Sequence, residues 1–166
     1  MRYGCGMSEP TPRATVAPTI DLDATDRSIL RELENDARMP WAEIGRRVSL
    51  TPPAVRERVR RMERAGVITG YGAWIDPAAV GRPMAAMIRV ATETKPRHEK
   101  LVTFVQGRDE VVECHTLTGD DTVLVRAQVA GMEELDQLTT SLSNFGRTTT
   151  SMILGSPIPW RNVVAR

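Results

Sequence analysis

The apolar residues of this 166-residue chain change period near Met84. Upstream they recur at the spacing of three and four expected of helices. Downstream, runs rich in Val, Ile, Leu and Thr alternate with helical stretches. The two patterns imply two small domains of different architecture, together an α+β chain.

In the first part, Asp23 supplies a helix N-cap with an acid three residues later at Asp26, and Ile29, Leu30 and Leu33 form a stripe ending near Asn35. A second helix begins at Pro40 and carries Trp41, Ile44 and Val48 on one face. Ser49 and Leu50 make a tight turn. Thr51 can then cap a third helix with Pro52 in first position, Val55, Val59 and Met62 inward, and Gly66 at its end. Three helices with a tight turn between the last two form a helix-turn-helix. Residues 67–68 and 71–75, broken by Thr69 and Gly70, read as the two short strands of a wing. A linker through Asp76, Pro77, Gly81 and Pro83 follows.

From Met84 the order is strand 84–92, helix 97–106, strands 110–118 and 122–129, helix 132–145 and strand 148–155. Leu101, Val102 and Val105 face inward on the first helix, and Leu135, Leu138 and Leu142 on the second. This is the ferredoxin-like βαββαβ order, an antiparallel sheet with both helices on one face and the other left for a partner. The expected division is a disordered tail 1–19, a winged helix-turn-helix domain 20–76, a linker 77–83, a ferredoxin-like domain 84–158 and a C-terminal tail 159–166.

Composition narrows the function classes. With 41% hydrophobic and 4% aromatic residues, the cores must be aliphatic. Cys5 and Cys114 supply neither a disulfide framework nor a metal set, which fits a reducing compartment, and Cys114 reads as a buried thiol. No run reaches the ~18 apolar residues of a membrane helix, and the start lacks a signal peptide's apolar core, so a cytoplasmic protein is expected. His98 and His115 are the only histidines, and no phosphate loop or nucleophile elbow is present. An enzyme is not expected, nor any cofactor or metal.

The net charge of +1 conceals segregated signs. Residues 21–43 hold seven acids against three arginines, whereas residues 46–64 hold seven arginines against Glu57 and Glu63. A cationic face is what double-stranded DNA would meet. Advancing about 100° per residue from Val55, the core residues stay on one side of the third helix, and Pro53, Arg56, Arg60 and Arg64 gather on the other. Such a helix fits the major groove, with Arg able to grip guanine O6 and N7. Thr51, Pro53, Arg56 and Arg60 are expected nearest the bases, and Arg46, Arg47, Arg61 and Arg64 nearer the phosphates. The bland alternative is a solvated charged face with local ion pairs.

The segment from Cys114 to Thr122 is the second candidate. Thr116, Thr118, Gly119, Asp120, Asp121 and Thr122 offer hydroxyls, carboxylates and free backbone N–H groups to a small zwitterion. On spacing alone, Thr118-Gly-Asp-Asp121 reads more simply as a plain β-turn joining two strands.

Taken together, Asp23-x-x-Asp-x-x-Ile-Leu-x-x-Leu33, Asp36-Ala-Arg38, Leu50-Thr-Pro52, Arg58-Val-Arg-Arg61, Gly66-Val-Ile-x-Gly-Tyr71, Glu113-Cys-His115 and Thr118-Gly119 resemble the Lrp/AsnC, or feast-or-famine, regulators. The resemblance covers about residues 22–154. It implies a winged helix-turn-helix, a regulatory domain that dimerises through its sheet, and assembly to tetramers or octamers. It also implies an amino acid or related effector near the Thr-Gly loop. Three residues depart from the pattern: Ser49 where Gly is usual, Thr122 where an Asp commonly stands, and Arg147 where an apolar residue is usual. The expected function is a sequence-specific transcription regulator modulated by a small metabolite. A ligand-independent DNA-organising protein is the alternative.

Overall fold

A computed structural model describes residues 20–158; the expected tails, 1–19 and 159–166, lie outside them. The described chain forms two compact units, one running to Ala73 and the other starting at Trp74.

The first unit holds α1 (Ala24–Asn35), α2 (Trp41–Val48) and α3 (Pro52–Arg64). Asp23 caps α1 in a reciprocal box: its carboxylate accepts from the Asp26 N–H at 2.7 Å, and the Asp26 carboxylate accepts from the Asp23 N–H at 3.2 Å. Two otherwise orphaned donors are thereby satisfied. Pro40 sits at the N-cap of α2, one position before the helix it was expected to begin. Ile29, Leu33, Met39, Ile44, Val55, Val59 and Met62 form an aliphatic core.

The α2–α3 turn is tight enough to dictate residue types. The Leu50 N–H bonds to the Gly45 carbonyl at 2.9 Å, and a Cβ at Gly45 would lie 2.4 Å from the Leu50 carbonyl oxygen. Only glycine fits there. Ser49 turns the chain with φ 56° and ψ 44°, the left-handed conformation that glycine adopts freely and serine does not.

The expected wing is corrected: residues 67–75 form no strand. The Val67 and Ile68 N–H groups turn back to the Met62 carbonyl, at 2.9 and 3.3 Å, and so finish α3. What is left is too short for a two-stranded ribbon, which is marginal without a third strand.

The second unit holds β1 (Met84–Ala91), α4 (Lys95–Gln106), β2 (Val111–Thr116), β3 (Val123–Val129), α5 (Met132–Ser143) and β4 (Arg147–Met152). The strands pair antiparallel in the order β2-β3-β1-β4, as a ferredoxin-like sheet requires. Alternation decides the faces. Ala86, Ile88 and Val90 of β1 and Val123, Val125, Ala127 and Val129 of β3 are buried with Leu101 and Val105 of α4 and Leu135, Leu138 and Leu142 of α5. Arg89, Leu124 and Arg126 point the other way. The final strand ends at Met152, three residues before the expected limit.

Residues 77–83 do not behave as a linker. They carry a 3-10 turn, Ala78–Val80, and Arg82 exchanges bonds with Gln128: its guanidinium donates to the Gln128 carbonyl at 3.0 Å, and the Gln128 amide donates to the Arg82 carbonyl at 2.6 Å. Cys114 is also corrected, being exposed. It shares a face with buried Val125, but β2 is the sheet edge, and burial on that face fades from β3 outward.

Candidate nucleic-acid interface and ligand cleft

On α3, Val55, Val59 and Met62 are buried, while Pro53, Arg56, Arg60 and Arg64 are exposed on the opposite side. Among the described residues, Arg56 and Arg60 have no carboxylate partner and no side-chain hydrogen bond. The other arginines of the cationic stretch are engaged. Arg46 meets the Glu43 carboxylate through two nitrogens, at 3.0 and 2.7 Å. Arg47 reaches Glu43 at 2.9 Å and Glu32 of α1 at 2.6 Å. The Arg46 hydrogen bond, then that of Arg47, pulls the Glu43 carboxyl down to about 2. Any phosphate that recruits Arg46 or Arg47 must therefore compete with a carboxylate already in place.

Arg58 donates to Asp23 at 2.6 Å and to Asp26 at 2.9 Å, and Arg61 also donates to Asp26. The Arg58 hydrogen bond holds the Asp23 carboxyl below its ordinary range. Arg61, expected at a phosphate, thus spends its guanidinium on α1. Arg64 donates to Glu57 at 2.9 Å, across two turns of the exposed face. The sequence reading counted Glu57 as charge but did not pair it with Arg64. Its place, one residue after Arg56 and seven before Arg64, was the available signal.

Thr51 is the N-cap of α3, but its side chain makes no capping bond. The hydroxyl remains exposed at the end of the helix that would point at base edges. Pro52 and Pro53 carry no N–H, so the helix start offers fewer backbone donors to a phosphate than usual.

In the second unit, the 117–122 loop is closed by the Leu117 N–H to the Thr122 carbonyl at 2.8 Å and by the Thr122 N–H to the Val90 carbonyl at 3.1 Å. The Thr122 hydroxyl donates to Val90 O at 3.2 Å and accepts from the Thr92 N–H at 3.0 Å. The Thr92 hydroxyl, at 2.8 Å, is then left to donate to it. Thr116 and Thr122 line an open cleft of about 330 Å³ with Thr92, Lys95 and His98. His98 Nε2 lies 3.3 Å from the Thr116 hydroxyl. Of the six expected effector residues, these two reach the cleft wall. Thr118, Gly119 and Asp120 are exposed on the loop, and Asp121 is half-buried. Thr92, Lys95 and His98 come from the end of β1 and the start of α4, which begins two residues before its expected limit.

Among the described residues, no helix is long and apolar enough to cross a membrane. Residues 22–63 match the model of the AsnC-type helix-turn-helix domain, and residues 85–163 match that of the Lrp/AsnC ligand binding domain. The leucine-responsive regulatory protein of Escherichia coli K12 is 36% identical over 123 residues, which are 73% of this chain and 75% of that one. The transcriptional regulator LrpC of Bacillus subtilis is 28% identical over 132 residues, 80% of this chain and 91% of that one. Among solved structures, a Neisseria meningitidis transcriptional regulator in complex with L-methionine superposes with a TM-score of 0.79 at 29% identity, covering 88% of this chain and 97% of that one.

Proposed function

The chain belongs to the Lrp/AsnC family of DNA-binding transcription regulators, and from that premise we propose which of its residues read DNA and which hold the effector. Arg56 and Arg60, with Thr51 and Pro53, face the base edges, and Arg46, Arg47 and Arg64 hold phosphates. The observation that carries this reading is the selective freedom of Arg56 and Arg60, exposed and unpaired on the face of α3 opposite its core. A guanidinium without an internal partner loses nothing on meeting guanine, whereas a paired one must first give up a carboxylate. The protein acts in the cytoplasm, where its DNA is.

The effector is an amino acid bound at the cleft beside Thr116 and Thr122, with the 118–121 loop closing over it. The cleft's Lys95 suits a carboxylate, its Glu93 an ammonium group, and its size a single small molecule. The relative crystallised with L-methionine supports this class of ligand. Self-association is proposed through the sheet face that carries Met87 and Leu124, since α4 and α5 cover the other, giving homodimers that build tetramers or octamers. One observation favours the ligand-independent reading: the Thr122 hydroxyl is already spent on Val90 and Thr92.

Selection from a randomised duplex pool yields the operator on which Arg56→Ala is measured. Operator affinity should fall by about 5- to 150-fold, the equivalent of ~1–3 kcal/mol, with random DNA little changed. Equal losses on both would move Arg56 to the phosphates. A thermal-shift screen of the twenty amino acids, L-leucine and L-methionine included, tests the effector. No shift with any of them would favour a ligand-independent DNA organiser.

A further inference from the structure

Seven arginines crowd residues 46–64, yet the structure treats those of α3 unequally. Helical rotation puts Arg58 and Arg61 roughly 60° and 120° from Val55, on the flank opposite Arg56. Both end on the carboxylate of Asp26, which is wholly buried. That carboxylate accepts from Arg58 on one oxygen, and from Arg61 and the Asp23 N–H on the other. Asp23 takes the same Arg58 guanidinium from outside. Two arginines and two aspartates form one cluster joining α1 to α3, with no net charge left over.

The two guanidinium groups keep partial access to solvent, with 31% and 45% of their side chains exposed. They could therefore be drawn to a polyanion. What opposes this is the state they would leave behind. A buried carboxylate stripped of its cations is far costlier than a solvent-exposed phosphate contact is favourable. The exchange is unfavourable while the Asp26 carboxylate stays enclosed.

We propose that Asp26 is a specificity-determining positioning residue, which withholds Arg58 and Arg61 from the DNA backbone so that base readout by Arg56 and Arg60 makes up a larger share of the binding. Phosphate contacts supply affinity without sequence, so each arginine added to them raises binding to every DNA alike and narrows the margin for the operator. The capping bond from Asp23 ties the same carboxylate to the start of α1, so its place in the cluster is set by the fold and not by DNA. The inference rests on α3 being the DNA-reading helix.

The test measures, for the full chain, the salt dependence of binding to a short random-sequence duplex and the ratio of operator to random affinity. Asp26→Asn keeps the shape and removes the charge. Its random-DNA salt slope should steepen by about one to two units, roughly 0.9 for each arginine released, and the operator-to-random ratio should fall. Arg61→Gln should leave the slope of the ordinary chain unchanged, because Arg61 is not among its phosphate contacts. Unfolding midpoints recorded first keep every comparison at a temperature where the variant is folded. An unchanged slope and ratio in folded Asp26→Asn would reduce Asp26 to a structural residue. A slope about 0.9 shallower in Arg61→Gln would place Arg61 on the backbone and overturn the proposal even if Asp26→Asn failed to fold. Salt-independent binding by the wild-type chain would instead strike at the DNA reading of α3 itself.

Discussion

Replacing Ser49 by glycine should stabilise the helix-turn-helix, which is unusual for the insertion of a more flexible residue. Ser49 holds φ 56° and ψ 44°, where an L side chain costs about 1–2 kcal/mol through the clash of Cβ with the carbonyl oxygen. Its hydroxyl makes no hydrogen bond with the described residues and the residue is exposed, so nothing is lost with the side chain. Glycine gives back part of the gain, about 0.5–1 kcal/mol, because the unfolded chain becomes more flexible. The net is a stabilisation of ~0.5–1 kcal/mol, or about 2–8 °C for a small unit. Denaturant unfolding followed by helix ellipticity gives the midpoint. Hydrogen exchange of the α2 and α3 amides assigns the gain to the first unit. Ser49→Ala should stay within about 0.5 kcal/mol of wild type, since alanine meets the same clash. A Ser49→Gly chain no more stable than wild type would refute this reasoning and mean that the serine contributes to the turn.

Three further outcomes are expected. Leu138→Ala, at a fully buried position between α5 and the sheet, should cost about 2–5 kcal/mol in denaturant unfolding of the second unit; a loss under ~1 kcal/mol would mean that the site collapses without a cavity. Glu43 is held near 2 in the folded chain against an ordinary 4.5, so its contribution is complete above about pH 4.5 and is lost as pH falls towards 2. Glu43→Gln should therefore flatten the dependence of unfolding midpoint on pH across that window, and an unaltered dependence would mean that other carboxylates govern it. Leu124→Arg puts a charge on the uncovered sheet face beside Arg89 and Arg126, and sedimentation should report a smaller assembly, whereas an unchanged one would move the interface elsewhere.

The apolar periods made the three helices and the βαββαβ order legible, because each element buries one face and announces it every two or every 3.6 residues. Capping chemistry was legible too: Asp23 and Asp26 stand at the spacing of a reciprocal box and form it. The wing was misread because Val67, Ile68 and the stretch from Tyr71 to Ile75 have strand-like side chains, whereas a strand needs a neighbour that local sequence does not supply. Cys114 was misread for a related reason. Its apolar run suggested burial, but the sheet order puts β2 at an edge, and edge position is a property of the whole topology.

The same distinction separates the legible part of the candidate sites from the rest. Glu43 with Arg46 and Arg47 lies within one helical turn, so those pairs follow from spacing alone. Arg58 and Arg61 are 32 and 35 residues from Asp26, and only the packing of α1 on α3 brings them together. Helical rotation puts Arg61 on the flank of α3, where a phosphate was expected, since it registers direction but not the carboxylate that waits there. The ligand cleft repeats the lesson: Thr116 and Thr122 were within reach of a sequence reading, but Thr92, Lys95 and His98 join them only because β1 lies beside β3 and runs into α4. An arginine count therefore bounds how many phosphates a helix could hold, but says nothing of which arginines the fold has already paired with a carboxylate.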